Sequence, residues 1–505
     1  MKEYLIRFVQ QHETFRRAEI EALAALFEAQ IEILEYSDDT PFCLVRIQDD
    51  ATARAIVGRS ILTKAVYELW GRGLTYEELH EDVRRRTSEK WAQYRNCSFR
   101  FDVDAYQGKR NQKEQRKLIE GFSYLGFSGR IQMSKFEENW CIFEEWDNVF
   151  GIAVSSSPSL SPSVSTPSTP SGANTSSAAA AAASGGAVSN IKNKPRPEQP
   201  PTHPNRLFLG RLIGGSDREA IVRYDLKKRK YISTTSMDAE LALVTANLAL
   251  AAPGKLFFDP FVGTGSFSVA CSHFGAHALG SDIDGRSIRG KGEGGIVSNF
   301  HQYGLVHRFC DSFVSDLTNT PLRPTQLLDG IICDPPYGVR EGLKVLGSRD
   351  GKGKEVIYLA DGTAAHLSSS YIPPKRPYSF ERMQADILAF AATMLVTNGR
   401  LSMWMPTANE DFELGVPLHP CLELVSTCIQ VFNKWSRRLL TYRRIPDSAV
   451  NPTALTNYQR DMSTLEAHAS ANDLNMFRRK YFEGFRPTTP STGALTPASE
   501  SDTTT

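Results

Sequence analysis

One segment restricts the fold of this chain more than any other. Lys255-Leu256-Phe257-Phe258 runs into Asp259-Pro260-Phe261-Val262-Gly263-Thr264-Gly265, and Ser266-Phe267-Ser268-Val269-Ala270 follows. The apolar run reads as a buried strand and the two glycines as a tight turn that a ligand approaches closely. The remainder reads as a helix, and strand, glycine turn and helix in that order open a doubly wound α/β domain. A dinucleotide site asks for a third glycine where Ser268 stands, and the Asp259 carboxylate would repel an arriving pyrophosphate. The turn suits a cationic ligand better than an anionic one.

Two further acids extend the pattern. Ala278-Leu279-Gly280-Ser281-Asp282 reads as a second strand whose terminal Asp282 can accept both hydroxyls of a ribose, with Ile283 packed on an adenine. Arg308-Phe309-Cys310-Asp311 reads as a third strand, ended by an acid within reach of an adenine amino group. Each acid alone serves equally well as a helix cap. Three at successive strand ends fit one ligand, a nucleoside carrying an amino group and a sulfonium without phosphate, as S-adenosylmethionine does.

A fourth strand, Leu328-Asp329-Gly330-Ile331-Ile332-Cys333, is followed by Asp334-Pro335-Pro336-Tyr337-Gly338. Open α/β sheets bind ligands at the carboxyl ends of their strands. The prolines fix the backbone, so the Asp334 carboxylate and the Pro335 carbonyl form two rigid acceptors. Two acceptors on the N–H groups of a base's exocyclic amine localise a lone pair that the ring otherwise delocalises. Tyr337 offers a face on which an extruded base can stack. Neither a metal nor a covalent intermediate is needed.

These residues resemble class I methyltransferases acting on exocyclic amines and, more narrowly, the eukaryotic catalytic subunits that methylate N2 of guanosine 10 in tRNA. Tyr231-Ile232-Ser233-Thr234-Thr235-Ser236-Met237-Asp238-Ala239-Glu240-Leu241, Asp259–Gly265 and Asp334–Arg340 carry the resemblance, which covers most of residues 1–150 and 206–445. It implies a Rossmann-like methyltransferase domain preceded by an α+β region with a THUMP-type RNA-binding domain. It also implies S-adenosylmethionine as cofactor, tRNA as substrate and a small zinc-binding activator as partner. The cofactor set is then Thr234, Ser236, Glu240, Asp259, Pro260, Gly263, Gly265, Asp282, Ile283 and Asp311. The catalytic set is Asp334, Pro335, Pro336 and Tyr337. Ser236 reads equally well as the N-cap of a helix over 237–250. Three other readings compete. Relatives acting on DNA adenine N6 or a protein glutamine amide typically carry Asn where Asp334 stands. A non-catalytic RNA-binding scaffold would have no need for the acids, glycines and Asp-Pro-Pro-Tyr together. A dehydrogenase is disfavoured by Ser268 and Asp259.

The 505 residues exceed what one core usually supports. Residues 1–153 alternate strand and helix signals, such as Tyr4–Val9, the helical spacing within 17–29, and Ser98–Val103. Residues 154–204 are a Ser/Pro/Ala-rich insertion, with alanines at 178–183, too polar and small to fold on a core. Connector strands are expected over 205–231, the methyltransferase domain over 232–446, and a helical segment with a frayed tail over 447–505. The net charge of +1 leaves any RNA surface to local clusters: Arg84-Arg85-Arg86, Lys109-Arg110 with Lys113, Arg116 and Lys117, and Lys434-Trp435-Ser436-Arg437-Arg438. Residues 340–378, with Arg340, Lys344, Arg349, Lys352, Lys354, Lys375 and Arg376, form a polar stretch placed to cover a substrate. The eight cysteines form no Cys-x-x-Cys pair, so no metal site is expected. With no signal peptide and no apolar span, the expected place is the cytoplasm.

Overall fold

The computed structural model describes residues 1–146, 203–292, 294–339, 343–347, 356–368, 371, 374–411, 415–464 and 475–484. Residues 154–202 of the expected insertion, the tail from Pro487, and Arg340, Arg349, Lys352 and Lys354 lie outside them. The chain forms two compact units. One comprises Met1–Glu13, Ala29–Gly58 and Thr63–Ser216, and the other Thr14–Glu28, Arg59–Leu62 and Asp217–Thr505.

The first unit is built on seven strands: β1 (Lys2–Phe8), β2 (Ile31–Glu35), β3 (Phe42–Ile47), β4 (Thr63–Gly73), β5 (Phe99–Tyr106), β6 (Glu138–Glu145) and β7 (Arg206–Gly215). Their order is β2-β3-β1-β4-β7-β6-β5, antiparallel except between β5 and β6. The expected connector is therefore split. Leu207 and Leu209 put β7 inside this sheet, where it pairs with β4 and β6. Alternation gives the central strands β4, β6 and β7 two buried sides. Trp70, Trp140, Tyr94, Leu79 and Ile142 pack in one cluster, and Leu5, Phe42, Leu44, Phe143 and Phe208 in another.

The second unit holds β8 (Leu256–Asp259), β9 (His277–Asp282), β10 (Phe309–Val314), β11 (Leu328–Cys333), the short pair β12 (Lys344–Leu346) and β13 (Lys375–Pro377), then β14 (Leu395–Ala408), β15 (Leu422–Val431) and β16 (Trp435–Arg444). The main sheet runs β10-β9-β8-β11-β14-β16-β15. Its first five strands are parallel; β16 runs antiparallel to them, and β15, antiparallel to β16, returns to their direction. The order reverses between β8 and β11, and this switch point is where open α/β sheets hold their ligands. Helix Phe380–Met394 turns Met383, Ile387, Leu388 and Ala391 onto the core of Phe258, Ile331, Leu401 and Met403.

Residues 14–28 join this second unit although they precede most of the first. The buried Glu19 carboxyl group ties them there. Glu19 accepts from Ser60 Oγ at 2.7 Å, the Ile61 and Leu62 amides at 2.9 and 3.0 Å, and Asn247 Nδ2 at 2.8 Å. Thr14 exchanges hydrogen bonds with both backbone groups of Ile429 on β15. A fully buried carboxylate is tolerated only with such complete satisfaction.

Candidate active site

The carboxyl ends of β8, β9 and β11 bring three acids together. Asp259 ends β8, is 2% exposed, and accepts from the Phe261 amide at 2.9 Å. Burial pushes its carboxyl well above the ordinary carboxylate range, and the charges of Asp282 and Asp334 push it the same way. Asp282 ends β9 and accepts from the Gly263 amide at 3.0 Å and the Asp284 amide at 2.8 Å. Burial raises Asp282 as well, with Lys375 pulling against it. Such a cluster attracts cations and repels phosphate.

The glycine turn sits against these acids. Gly263 and Gly265 have φ of 49° and 80°. The Gly265 amide donates to the Val262 carbonyl at 2.7 Å, and helix Ser266–His273 begins at once. Residues 231–236 are pinned to this turn from the other side. The buried Asn299 amide accepts from Tyr231 N at 3.0 Å and donates to the carbonyls of Tyr231 at 2.8 Å and Thr264 at 3.1 Å. Ser236 Oγ lies 2.7 Å from Thr264 Oγ1. Ser236 therefore holds the turn and caps nothing. The helix spans Ala239–Leu248, and its cap is Asp238, which accepts from the Glu240 and Leu241 amides. Glu240 pairs with Arg218 at 3.0 Å, and Thr234 is exposed. None of these contacts draws Thr234 or Glu240 to the three acids.

Asp311 requires a correction. It does not end the third strand but lies within β10, exposed, opposite Leu279. Val314 is the residue level with Asp282, and the acid leaving the sheet just beyond is Asp316. Asp316 is 5% exposed and accepts from the Thr318 amide at 2.8 Å and the Leu346 amide at 2.6 Å. That second bond ties β12, at the base of the 340–378 stretch, to the end of β10. Lys375 Nζ reaches the Ile283 carbonyl at 3.5 Å from the other arm of the same hairpin.

The Asp334-Pro335-Pro336-Tyr337 corner closes the group. Tyr337 Oη donates to Asp334 Oδ1 at 2.6 Å, and Arg437 Nη1 stands 3.9 Å from Oδ2. Tyr337 is thus a hydrogen-bond donor to the acid as well as a ring. Its ring meets Trp435 edge-on at 6.2 Å, while the Arg437 guanidinium lies over Trp404 at 4.7 Å. Burial pushes the Asp334 carboxyl up, and the Tyr337 phenol and Arg437 pull it down. With its side chain 22% exposed, Asp334 is reachable from outside.

Comparison with known proteins also separates an N-terminal part from a methyltransferase part. Residues 2–160 match the family model described as "Tmrp11 THUMP N-terminal domain", and residues 227–346 match "RMKL-like, methyltransferase domain". The tRNA (guanine(10)-N(2))-methyltransferase of Saccharomyces cerevisiae is 39% identical over 494 residues, covering 96% of this chain and 100% of the yeast protein. This chain belongs to that family. The relative of the same name from Schizosaccharomyces pombe is 34% identical, over 90% of this chain and 83% of its own. The human member, tRNA (guanine(10)-N(2))-methyltransferase TRMT11, is 30% identical over 96% of both chains.

Within the family's methyltransferase domain, three contributors have no sequence signal strong enough to find them. Asn299 lies on an amphipathic helix, Ile296–Tyr303, and resembles a surface amide. Arg437 sits in a basic run that reads as an RNA contact, and its nearness to Asp334 depends on strand pairing alone. Asp316 follows an edge strand without regular alternation.

The acid cluster has a measurable cost. Because the folded-state value of Asp259 lies above its unfolded one, the folded state loses stability as pH rises through it. Asp259→Asn should therefore raise Tm at neutral pH, by roughly 2–4 °C if about 1 kcal/mol is recovered. The same substitution should weaken binding of a cationic ligand. Calorimetry and ligand titration read both, and a lower Tm would contradict the assignment.

Proposed function

We propose that this chain transfers a methyl group from S-adenosylmethionine to the exocyclic N2 of guanosine 10 in tRNA, using the Asp334–Tyr337 corner to hold the amine. The observation that carries this reading is the corner itself, an acid and a proline carbonyl at the end of β11 beside the Asp259 cluster. The three acids and the glycine turn fit a nucleoside sulfonium. Asp259, Pro260, Gly263, Gly265, Asp282 and Ile283 would hold it, with Asp316 in the place expected of Asp311. When bound, S-adenosylmethionine supplies a methyl group activated by positive charge on sulfur.

The protein's own groups do the rest. Asp282 has one backbone donor on each oxygen, which leaves a lone pair on each for a ribose hydroxyl. Asp334 Oδ2, the oxygen turned away from the phenol, accepts one N–H of the guanine amine. The Pro335 carbonyl accepts the other, and the nitrogen lone pair is aimed by these two bonds. As the new N–C bond forms, the methyl–sulfur bond would break with its electron pair left on sulfur; the amine nitrogen must shed a proton, and Asp334 Oδ2 would take it. The raised Asp334 carboxyl is a better base for that than a solvated one. Incubation of the protein and its partner with labelled S-adenosylmethionine and unmodified tRNA should yield label as N2-methylguanosine on digestion. Label in DNA or protein would contradict the reading.

The first unit is the tRNA-binding part in this reading. Arg86 and Arg110 are already committed, Arg86 to Glu3 and Asp82, Arg110 to the buried Glu144. Arg85 pairs with Asp82 and Arg84 lies over the Tyr124 ring, both exposed, and Lys109 with Lys113, Arg116 and Lys117 on helix Gln112–Glu120 offers a further exposed set for phosphate. Replacing Lys113, Arg116 and Lys117 by Gln should raise KM for tRNA and flatten its salt dependence by roughly one ion for each phosphate no longer neutralised. Affinity for S-adenosylmethionine should not change. An unaltered KM would remove this helix from the interface.

β10 is an edge strand with Val314 exposed, and such an edge accepts a partner's strand. This supports docking of a small zinc-binding activator there. The chain expressed alone should aggregate and co-expression should rescue it; full solubility and turnover alone would contradict this. The reading also puts the enzyme in the cytoplasm, which its free thiols support. Among the described residues no helix is long and apolar enough to cross a membrane.

A further inference from the structure

The catalytic corner is gripped by a segment far along the chain. Asn475 Nδ2 donates to the Tyr337 carbonyl at 3.0 Å. Arg478 Nη1 donates to the Val339 carbonyl at 2.8 Å and also to the Gly338 carbonyl. Three consecutive carbonyls of the loop therefore end on donors 138 to 140 residues away.

The grip is built into the segment. Asn475 is 2% exposed, and its Oδ1 accepts from the Arg478 amide at 2.8 Å as the N-cap of helix Met476–Glu483. One amide thus orients the helix that carries Arg478 and holds Tyr337 at the same time. Gly338 has φ of 72°, and a Cβ there would lie 2.7 Å from Asn475 Nδ2, so the Asn475 side chain approaches the loop as closely as a glycine allows. Phe477 packs on Trp435 at 5.6 Å, and Trp435 in turn meets the Tyr337 ring. Lys480 pairs with Asp411 at the far end of the helix.

Pro335 and Pro336 stiffen only the entrance of the corner. Its exit, at a left-handed glycine, has the softest backbone of the loop. We infer that Asn475 and Arg478 are positioning residues for methyl transfer, fixing the Tyr337, Gly338 and Val339 carbonyls and thereby the aim of Asp334 and Pro335. This rests on the reading of the corner as the holder of the amine. A shift of about 1 Å in a reacting group is enough to cost up to 100-fold in rate.

The test uses the full chain with its activator. Asn475→Asp keeps the cap oxygen and removes the donor to Tyr337, so a role in helix stability alone would leave it near wild type. We expect Asn475→Asp and Arg478→Ala each to lower kcat by roughly 10- to 100-fold, with KM for tRNA and Kd for S-adenosylmethionine within about two-fold. Tm should stay within about 2 °C in Arg478→Ala; Asn475→Asp sets a carboxylate oxygen against the Tyr337 carbonyl and should lower Tm, so its unchanged Kd for S-adenosylmethionine is the control for folding of the site. Arg478→Lys should recover part of the loss, since an ammonium can still donate to a carbonyl. Arg479→Ala, which among the described residues removes a side-chain contact to Met476, should match wild type. Wild-type kcat in Asn475→Asp and Arg478→Ala would overturn the inference, as would a loss of kcat that tracks a falling Tm and weakened cofactor binding. Asp334→Ala is measured alongside. If it too turns over normally, the reading of the corner fails; if it alone is inactive, only the inference fails.

Discussion

Asp334→Ala should lower kcat by about 10³-fold while Kd for S-adenosylmethionine stays within about two-fold. The size follows from the role proposed for the carboxylate, as one of two rigid acceptors for the amine and as the base that receives the proton. Neither task arises before the acceptor base enters, so cofactor binding should be spared. Asp334→Asn keeps an acceptor oxygen but loses the charge and the base, and should fall between wild type and Asp334→Ala. The pH profile gives an independent check. Burial holds the Asp334 carboxyl above the ordinary carboxylate range, so activity should decline as pH falls through that raised value. The acid limb should thus lie above about 4, where a solvated Asp titrates. Turnover by Asp334→Ala near the wild-type rate would remove this residue from the chemistry.

Gly265→Val should have the opposite signature, abolishing cofactor binding without touching the corner. At φ of 80° a β-branched residue is a genuine outlier, and its Cβ would sit 3.1 Å from Ile296 Cγ2. The strain, about 1–3 kcal/mol, must be relieved by moving the turn. That turn includes the Gly263 amide, which anchors Asp282, and Thr264, which anchors Ser236 and Asn299. Moving it disperses the groups proposed to hold the cofactor. Kd should rise by at least about 100-fold, read by titration calorimetry. Unchanged binding would show that the ligand does not depend on this turn.

The methyltransferase core is legible in the sequence because its signals are local. Phe257 and Phe258 are buried, the glycines take the left-handed conformation, and Asp259 and Asp282 end their strands. The proline pair likewise places Asp334 at the end of β11. The sequence misleads where a neighbour distant along the chain decides. β10 lies at a sheet edge with half-exposed residues on both faces, so no alternation marks where it ends, and Asp311 passes for the terminal acid in place of Asp316. Glu19 looks like one more charge on a helix surface, yet it is the buried group that ties residues 14–28 to the second unit. Ser236 and Asp238 both make good caps, and Thr264 across the turn takes the first. The Tyr337 phenol lies three residues from Asp334, but only the folded loop shows that it faces the carboxylate and not solvent.

The central claim is that the corner holds one chemical group, the 2-amino group of guanine. Two tRNA transcripts test it most directly, one with guanosine at position 10 and one with inosine there, which differs only by lacking that amine. The expected result is methyl transfer to the guanosine transcript, recovered as N2-methylguanosine. The inosine transcript should take no label and should compete for binding within a factor of about three, since phosphate contacts carry most of the affinity. Equal labelling of the inosine transcript, or label on any atom other than N2, would contradict the claim.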